Sequence, residues 1–341
     1  MKALLVGHFS TIGDIDSLMC VENVLVKEGI PYSIAAYSKD VARSIDKAIW
    51  FKHVNPNNYT HLFVICGPYW PGLLRHRGID IGNFAHCVKI GINITMIEPV
   101  SEWNPFDVLI ERDSERKARP DITFLRDTPR VPVVGRCLID SQKEYGNRQA
   151  HHKTGSIVDD FFKRSKYSRI EVDTRWPRIK NRVELGSSEE ILSLIAKCDV
   201  LITNRLHGLV YGLKAAVPVV VIDSILGGDK VSRQARTLEW PMCIPSEELT
   251  VDILSEAVQW ARTDEAKQCV RQSIEIARTN LANIEDEIQQ ALEVRRSEKA
   301  IRTTPTRYLD NSRSRPAIWR RVALKGVGAA EKILRYVKER I

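Results

Sequence analysis

The chain has 341 residues, 43% of them hydrophobic and 28% charged, with a formal net charge of +8. That length exceeds one ordinary hydrophobic core, so two domains of a soluble globular protein are expected. Residues 295–341 hold fourteen Lys and Arg against Glu298, Asp310, Glu331 and Glu339, which leaves the rest of the chain near neutrality and excludes nucleic acid as an expected partner of the folded body.

Along the chain, Met1–Gly7 is a short apolar strand leading into a polar loop, too brief for a signal peptide or a membrane span. Seven scattered cysteines show neither metal-binding spacing nor a disulfide framework. A cytoplasmic protein without a metal or redox cofactor is therefore expected, with any membrane contact peripheral. Val- and Ile-rich runs at Ala3–Val6, Ser33–Ala36, Leu62–Cys66 and Ile92–Ile97 read as buried parallel strands, and Ile15–Glu28 as a covering helix.

A polar, proline-containing stretch, Ser114–Arg130, places a domain boundary near residue 130. Beyond it, Val131–Val134, Arg169–Val172, Val200–Thr203 and Pro218–Asp223 read as strands, with helices over Ser187–Lys197 and Leu206–Ala216. The pattern predicts an α/β fold of two Rossmann-like, doubly wound domains over 1–130 and 131–296, the second trailing helices from Glu247. Residues 297–341 read as a basic linker and an amphipathic helix whose stripe includes Val322, Ile333, Leu334 and Val337. Residues 317–341 suit an anionic membrane surface, a partner protein or the body of the chain itself.

The densest chemical signal is Asp199-Val200-Leu201-Ile202-Thr203-Asn204-Arg205-Leu206-His207-Gly208, a strand delivering an Arg and a His to a helix start. Ligands of open α/β sheets collect beyond the carboxyl ends of strands, and helix amino termini attract anions. Arg offers a planar fork for carboxylate or phosphate, while His exchanges protons near neutral pH. Taken alone, an Arg-x-His reads first as a local ion pair and a helix-start residue. A second turn, Gly227-Gly228-Asp229-Lys230, follows the next strand and would bring Lys230 to the same sheet edge. Arg136, Arg175 and Arg233 are further candidate cations, Arg175 foremost because it follows a strand end. His151-His152 lies in a polar stretch without a partner at metal spacing and reads as a solvated loop.

Asp199–Asp223, the run Gly227–Ala235 and Trp240-Pro241 together resemble the polysaccharide pyruvyl transferase family, whose Arg-Leu-His signature is intact here. Gly13-Asp14 and Asp173-Thr174-Arg175 add to the resemblance. The resemblance implies two Rossmann-like domains facing across a cleft in the GT-B manner. It also implies phosphoenolpyruvate as donor and a saccharide acceptor, lipid-linked in some settings, at the inner face of the membrane. Arg205, Lys230, Arg175 and Gly208 would then bind phosphoenolpyruvate, and His207 would protonate its enol carbon. Gly13 and Asp14 would serve the acceptor, Asp14 as a base, although an Asp there also suits a helix cap. Tyr69 and Trp70, where many family members have a Gly-rich turn, suit either sugar stacking or loop packing. A nucleotide-sugar glycosyltransferase and a non-catalytic carbohydrate-binding relative remain the competing readings.

Overall fold

The computed structural model describes residues 1–73 and 80–293. The expected basic linker and amphipathic helix of 297–341 lie outside the described residues. Contacts divide the chain into two compact units, Met1–Pro129 and a second that begins at Arg130.

The first unit runs β1 (Ala3–Gly7), α1 (Ile12–Lys27), β2 (Tyr32–Ala36), α2 (Lys39–Ser44), β3 (Ile49–Trp50), β4 (His61–Ile65), β5 (Pro68–Tyr69), β6 (Val88–Ile92), β7 (Thr95–Met96) and β8 (Val108–Ile110). Six strands form one parallel sheet in the order β3-β2-β1-β4-β6-β8, and β5 pairs with β7 beside it. Strand β1 is buried along its whole length and alternates its side chains between two cores. Leu4 and Val6 join one with Leu62 and Phe84, while Ala3 and Leu5 join the other with Leu18 and Leu25 of α1.

The second unit runs β9 (Val133–Cys137), α3 (His151–Arg164), β10 (Ser168–Glu171), α4 (Ser188–Ile195), β11 (Val200–Thr203), α5 (Leu206–Lys214), β12 (Val219–Asp223), α6 (Lys230–Thr237), β13 (Cys243–Pro245), α7 (Val251–Ala261), α8 (Asp264–Asn280) and α9 (Ile284–Glu293). Its sheet is parallel, in the order β10-β9-β11-β12-β13. Both sheets are therefore doubly wound, and their order reverses at β1/β4 and at β9/β11, the points where such folds open a crevice. β11 and β12 are buried throughout, which is why their sequences read as unbroken Val/Ile runs rather than alternating patterns.

Three expectations are corrected. The run Ile92–Ile97 is not one strand: β6 ends at Ile92, and Asn93, buried with φ 56°, turns the chain before β7. Strand β9 lies later than Val131–Val134, continuing through Gly135-Arg136-Cys137, because Arg136 finds Asp159 and Glu171 at 3.2 Å each. His151 is no solvated loop residue. It starts α3, is 2% exposed, and shares a buried face with Thr154, Val158 and Phe161.

Helix α5 packs so closely on β11 that a Cβ at Gly208 would stand 2.0 Å from Thr203 Oγ1. We predict that Gly208→Ala destabilises the second unit by about 1–3 kcal/mol through overpacking, read as a lower urea midpoint.

Candidate functional site

The site is built where β11 ends. Thr203 Oγ1 donates to the Cys137 carbonyl at 2.7 Å and accepts from the Arg205 N–H at 3.0 Å, which turns the chain out of the strand. Asn204, buried, fastens three strand ends together. Its Nδ2 donates to the Ile139 carbonyl (3.0 Å) and Ser224 Oγ (3.2 Å), and its Oδ1 accepts from the Ile139 N–H at 2.8 Å. The crevice between β9 and β11 is thereby fixed before any ligand arrives.

Arg205, next in sequence, turns toward the loop after β10. Its Nη1 lies 3.3 Å from Asp173 Oδ1 and donates to Thr174 Oγ1 at 3.0 Å, with the side chain 10% exposed. Asp173 Oδ2 accepts from Arg175 Nε (2.8 Å), Arg175 Nη2 (2.6 Å) and the Arg182 N–H (2.9 Å), while its Oδ1 accepts from the Arg175 N–H at 3.0 Å. Burial by itself would raise the Asp173 carboxyl, but the donors from Arg175 and Arg182 and the charge of Arg205 hold it below the usual carboxylate range. Burial pulls the Arg205 guanidinium below its ordinary range, and its Nε and Nη2 are buried without a protein partner. Each such unmet donor costs about 1–3 kcal/mol.

Arg175 and His207 meet at one pocket of about 410 Å³, lined also by Thr174, Trp176, Ser187, Glu189 and Tyr211. His207 sits exposed on the first turn of α5, its ring 6.3 Å from that of Tyr211. The pocket therefore combines a cation, an imidazole and the start of α5, whose N-terminal N–H groups favour anions, whereas the first turn of α4 carries Glu189 and Glu190. A second cavity, about 480 Å³ and lined by Phe51, Lys52, Asp80 and Phe84 among others, lies in the first unit. The turns around it precede β4 and β6, at the sheet edge opposite the one where parallel sheets bind ligands.

Lys230 is not among the residues lining the Arg175–His207 pocket. Its ammonium stands 5.7 Å from the ring centre of Tyr145. The turn before it is internally saturated: Asp223 Oδ2 accepts from the N–H groups of Asp229 (2.8 Å) and Ser232 (3.2 Å), and the Gly227 and Gly228 N–H groups go to Glu247 and Ile225. An internal carboxylate thus occupies the start of α6, beside the Lys230 expected to bind the donor. Gly208 is buried against Thr203, so its contribution is steric. Arg136 is committed to Asp159 and Glu171, and Arg233 to Asp229.

In the first unit Asp14 forms a capping box with Thr11. Its Oδ2 accepts from the N–H groups of Ser10 (2.9 Å) and Thr11 (3.0 Å), while Thr11 Oγ1 accepts from the Asp14 N–H. Gly13 meets only Thr11 Oγ1, at 3.8 Å from its would-be Cβ, so packing does not demand glycine there. The stacking role expected for Tyr69 is corrected: its ring is 2% exposed and packs in the core against Trp103 and Phe106. Trp70 is half-buried against the same core. No group of metal-binding side chains occurs among the described residues, and no described helix is long and apolar enough to cross a membrane.

Residues 119–224 match the polysaccharide pyruvyl transferase family, the family that the Arg205-Leu206-His207 run pointed to. The match supports a polysaccharide-modifying transferase. No curated protein matches the chain. Solved structures similar to it include the glycotransferase of kitacinnamycin (12% identity, covering 85% of this chain and 99% of that one, TM-score 0.32), a glycosyltransferase from Rickettsia africae ESF-5 (14%, 85% and 98%, 0.31) and MurG of Acinetobacter baumannii (10%, 85% and 99%, 0.30). At those scores the likenesses add nothing to the strand orders described above.

Because the folded Asp173 carboxyl is held low, its stabilising contribution is complete above the unfolded value of about 3.9 and is lost as pH falls through the lower folded value. Asp173→Asn is predicted to cost about 3–5 kcal/mol at pH 7, since it leaves Arg205 buried without its counter-charge. Urea unfolding should show the gap between variant and wild type narrowing toward pH 2.

Proposed function

We propose that the chain transfers the pyruvyl unit of phosphoenolpyruvate to saccharide hydroxyls, with the pocket between Arg175 and His207 as the donor site. The observation that carries this reading is the meeting of a guanidinium and an imidazole at one pocket, backed by the Asp173–Arg205 pair, within the stretch that matches the family.

Phosphoenolpyruvate brings a carboxylate and a phosphate, and a site for it needs cations and oriented N–H groups. Arg175 already gives Nε and Nη2 to Asp173, so its guanidinium is held in one orientation at the pocket it lines. Arg205 stands behind Asp173 and adds positive charge at short range, making the triad net cationic. Neither Lys230 nor Asp14 is assigned a step in this reading.

His207 then delivers a proton to the methylene carbon of the donor, and the π electrons of the enol form the new C–H bond. The adjacent carbon becomes electron-poor, and a saccharide hydroxyl oxygen attacks it, its proton returning to the His207 imidazole. The C–O bond to phosphate breaks with the electron pair leaving on phosphate, and a second hydroxyl closing on the same carbon, its proton passing to the departing phosphate, completes a ketal. The sum is donor plus diol giving ketal plus inorganic phosphate, with no net oxidation. A positioned general acid typically contributes about 10²–10⁴-fold to such a step.

The test is acceptor-dependent phosphate release from phosphoenolpyruvate, run beside calorimetric titration of the donor. His207→Ala is expected to lose about 10²-fold or more in turnover with donor affinity nearly unchanged. Arg175→Ala and Arg205→Ala are each expected to weaken donor binding about tenfold or more. Unchanged donor affinity in both arginine variants, or tight binding of a nucleoside diphosphate in place of phosphoenolpyruvate, would contradict the assignment.

A further inference from the structure

The loop between β10 and α4 carries a feature that donor binding does not use. Trp176 is 78% exposed, whereas Trp240 and Trp260 are buried and the other described tryptophans are half-buried. An indole left in water forgoes about 25 cal/mol per Å² of apolar surface, and single exposed apolar residues need no explanation by themselves. Trp176, however, lines the pocket that holds Arg175 and His207.

The backbone on both sides of it is pinned. Asn181, 6% exposed, donates through Nδ2 to the carbonyls of Asp173 (2.8 Å) and Arg175 (2.9 Å), and the Lys180 N–H donates to the Pro177 carbonyl at 2.8 Å. Arg178 Nη2 bonds Glu190 Oε1 at 2.5 Å and Nη1 reaches the Glu184 carbonyl, tying the far side of the loop to the start of α4. Arg182 pairs with Asp140 of the loop after β9. An exposed indole is thus presented on a fixed backbone, so a ligand that covers it need not order the loop.

The remaining pocket wall suits a ring rich in hydroxyls. Ser187, Ser188 and Glu189 lie at the start of α4 and Tyr211 on α5, all lining the same pocket. A flat π face beside carboxylate and hydroxyl groups matches a pyranose, whose C–H face is apolar and whose edges donate and accept hydrogen bonds. A second anion is disfavoured there by the Glu189 carboxylate.

We propose that Trp176 is the platform of a saccharide subsite, stacking on the C–H face of the pyranose whose hydroxyls react, with Glu189 and Ser188 receiving its edge. This rests on the pyruvyl-transfer reading for the identity of the reaction but not for the binding itself. It moves the aromatic contact from Tyr69, which is buried, to the second unit.

The test is saturation-transfer NMR on the full chain with methyl galactoside, glucoside and mannoside, each without donor, and separately with uridine diphosphate. The expected result is saturation of ring C–H protons of at least one glycoside. Trp176→Ala should weaken that binding about threefold to tenfold, the effect of one aromatic contact, and Trp176→Phe should keep most of it. Equal saturation in wild type and Trp176→Ala, saturation of none of the glycosides, or Trp176-dependent saturation of the uracil protons alone would each overturn the proposal. Phosphate release is measured separately, so loss of the donor reading and loss of this subsite leave different signatures.

Discussion

The second unit depends on one buried carboxylate. Asp173 takes hydrogen bonds from Arg175, from the backbone of Arg182 and, at longer range, the charge of Arg205, and without it two guanidinium groups would repel one another inside the protein. Its position just beyond β10 lets it bridge two neighbouring features of the carboxyl edge, the loop that carries Trp176 and the turn that carries Arg205. Asn204 does the complementary work on the other side of β11, binding the ends of β9 and β12. Between them these two side chains make the carboxyl edge of this sheet a rigid frame, and the pocket is a gap in that frame.

Rigidity of this kind has a chemical consequence. A cation that must stabilise developing negative charge acts best when it needs no reorganisation at the moment of reaction. Arg175 is restrained by two donors, Nε and Nη2, on Asp173 Oδ2, and His207 by its place on the first turn of α5, whose approach to β11 is set by Gly208. The signature run is therefore read in two layers. His207 faces the pocket, whereas Thr203, Asn204, Arg205 and Gly208 fix where that face lies.

The sequence disclosed the parts of the fold that are uniform. Strands β11 and β12 are continuous apolar runs, and their ends were legible to within a residue because nothing polar interrupts them. Strand β9 was misplaced because it carries the buried Arg136, whose partners Asp159 and Glu171 come from other elements. His151 misled for a similar reason, since its burial depends on α3 packing against the sheet rather than on its own neighbours in sequence. Of the residues lining the candidate pocket, His207 and Arg175 were the ones expected at strand ends. The use of Asp223 to fill the α6 terminus was not, because a carboxylate six residues before Asp229 gives no local signal that it will fold back. The exposure of Trp176 was equally hidden, as the loop's backbone is held by Asn181, whose bonds to the Asp173 and Arg175 carbonyls leave no local signal in the sequence.

The most direct measurement is a crystal structure of the full chain with phosphoenolpyruvate bound. The account predicts the donor in the pocket of the second unit, its anionic groups within hydrogen-bond distance of Arg175 and its methylene carbon beside the His207 ring. Donor held instead against Lys230 and Tyr145, with the Arg175–His207 pocket vacant, would contradict it.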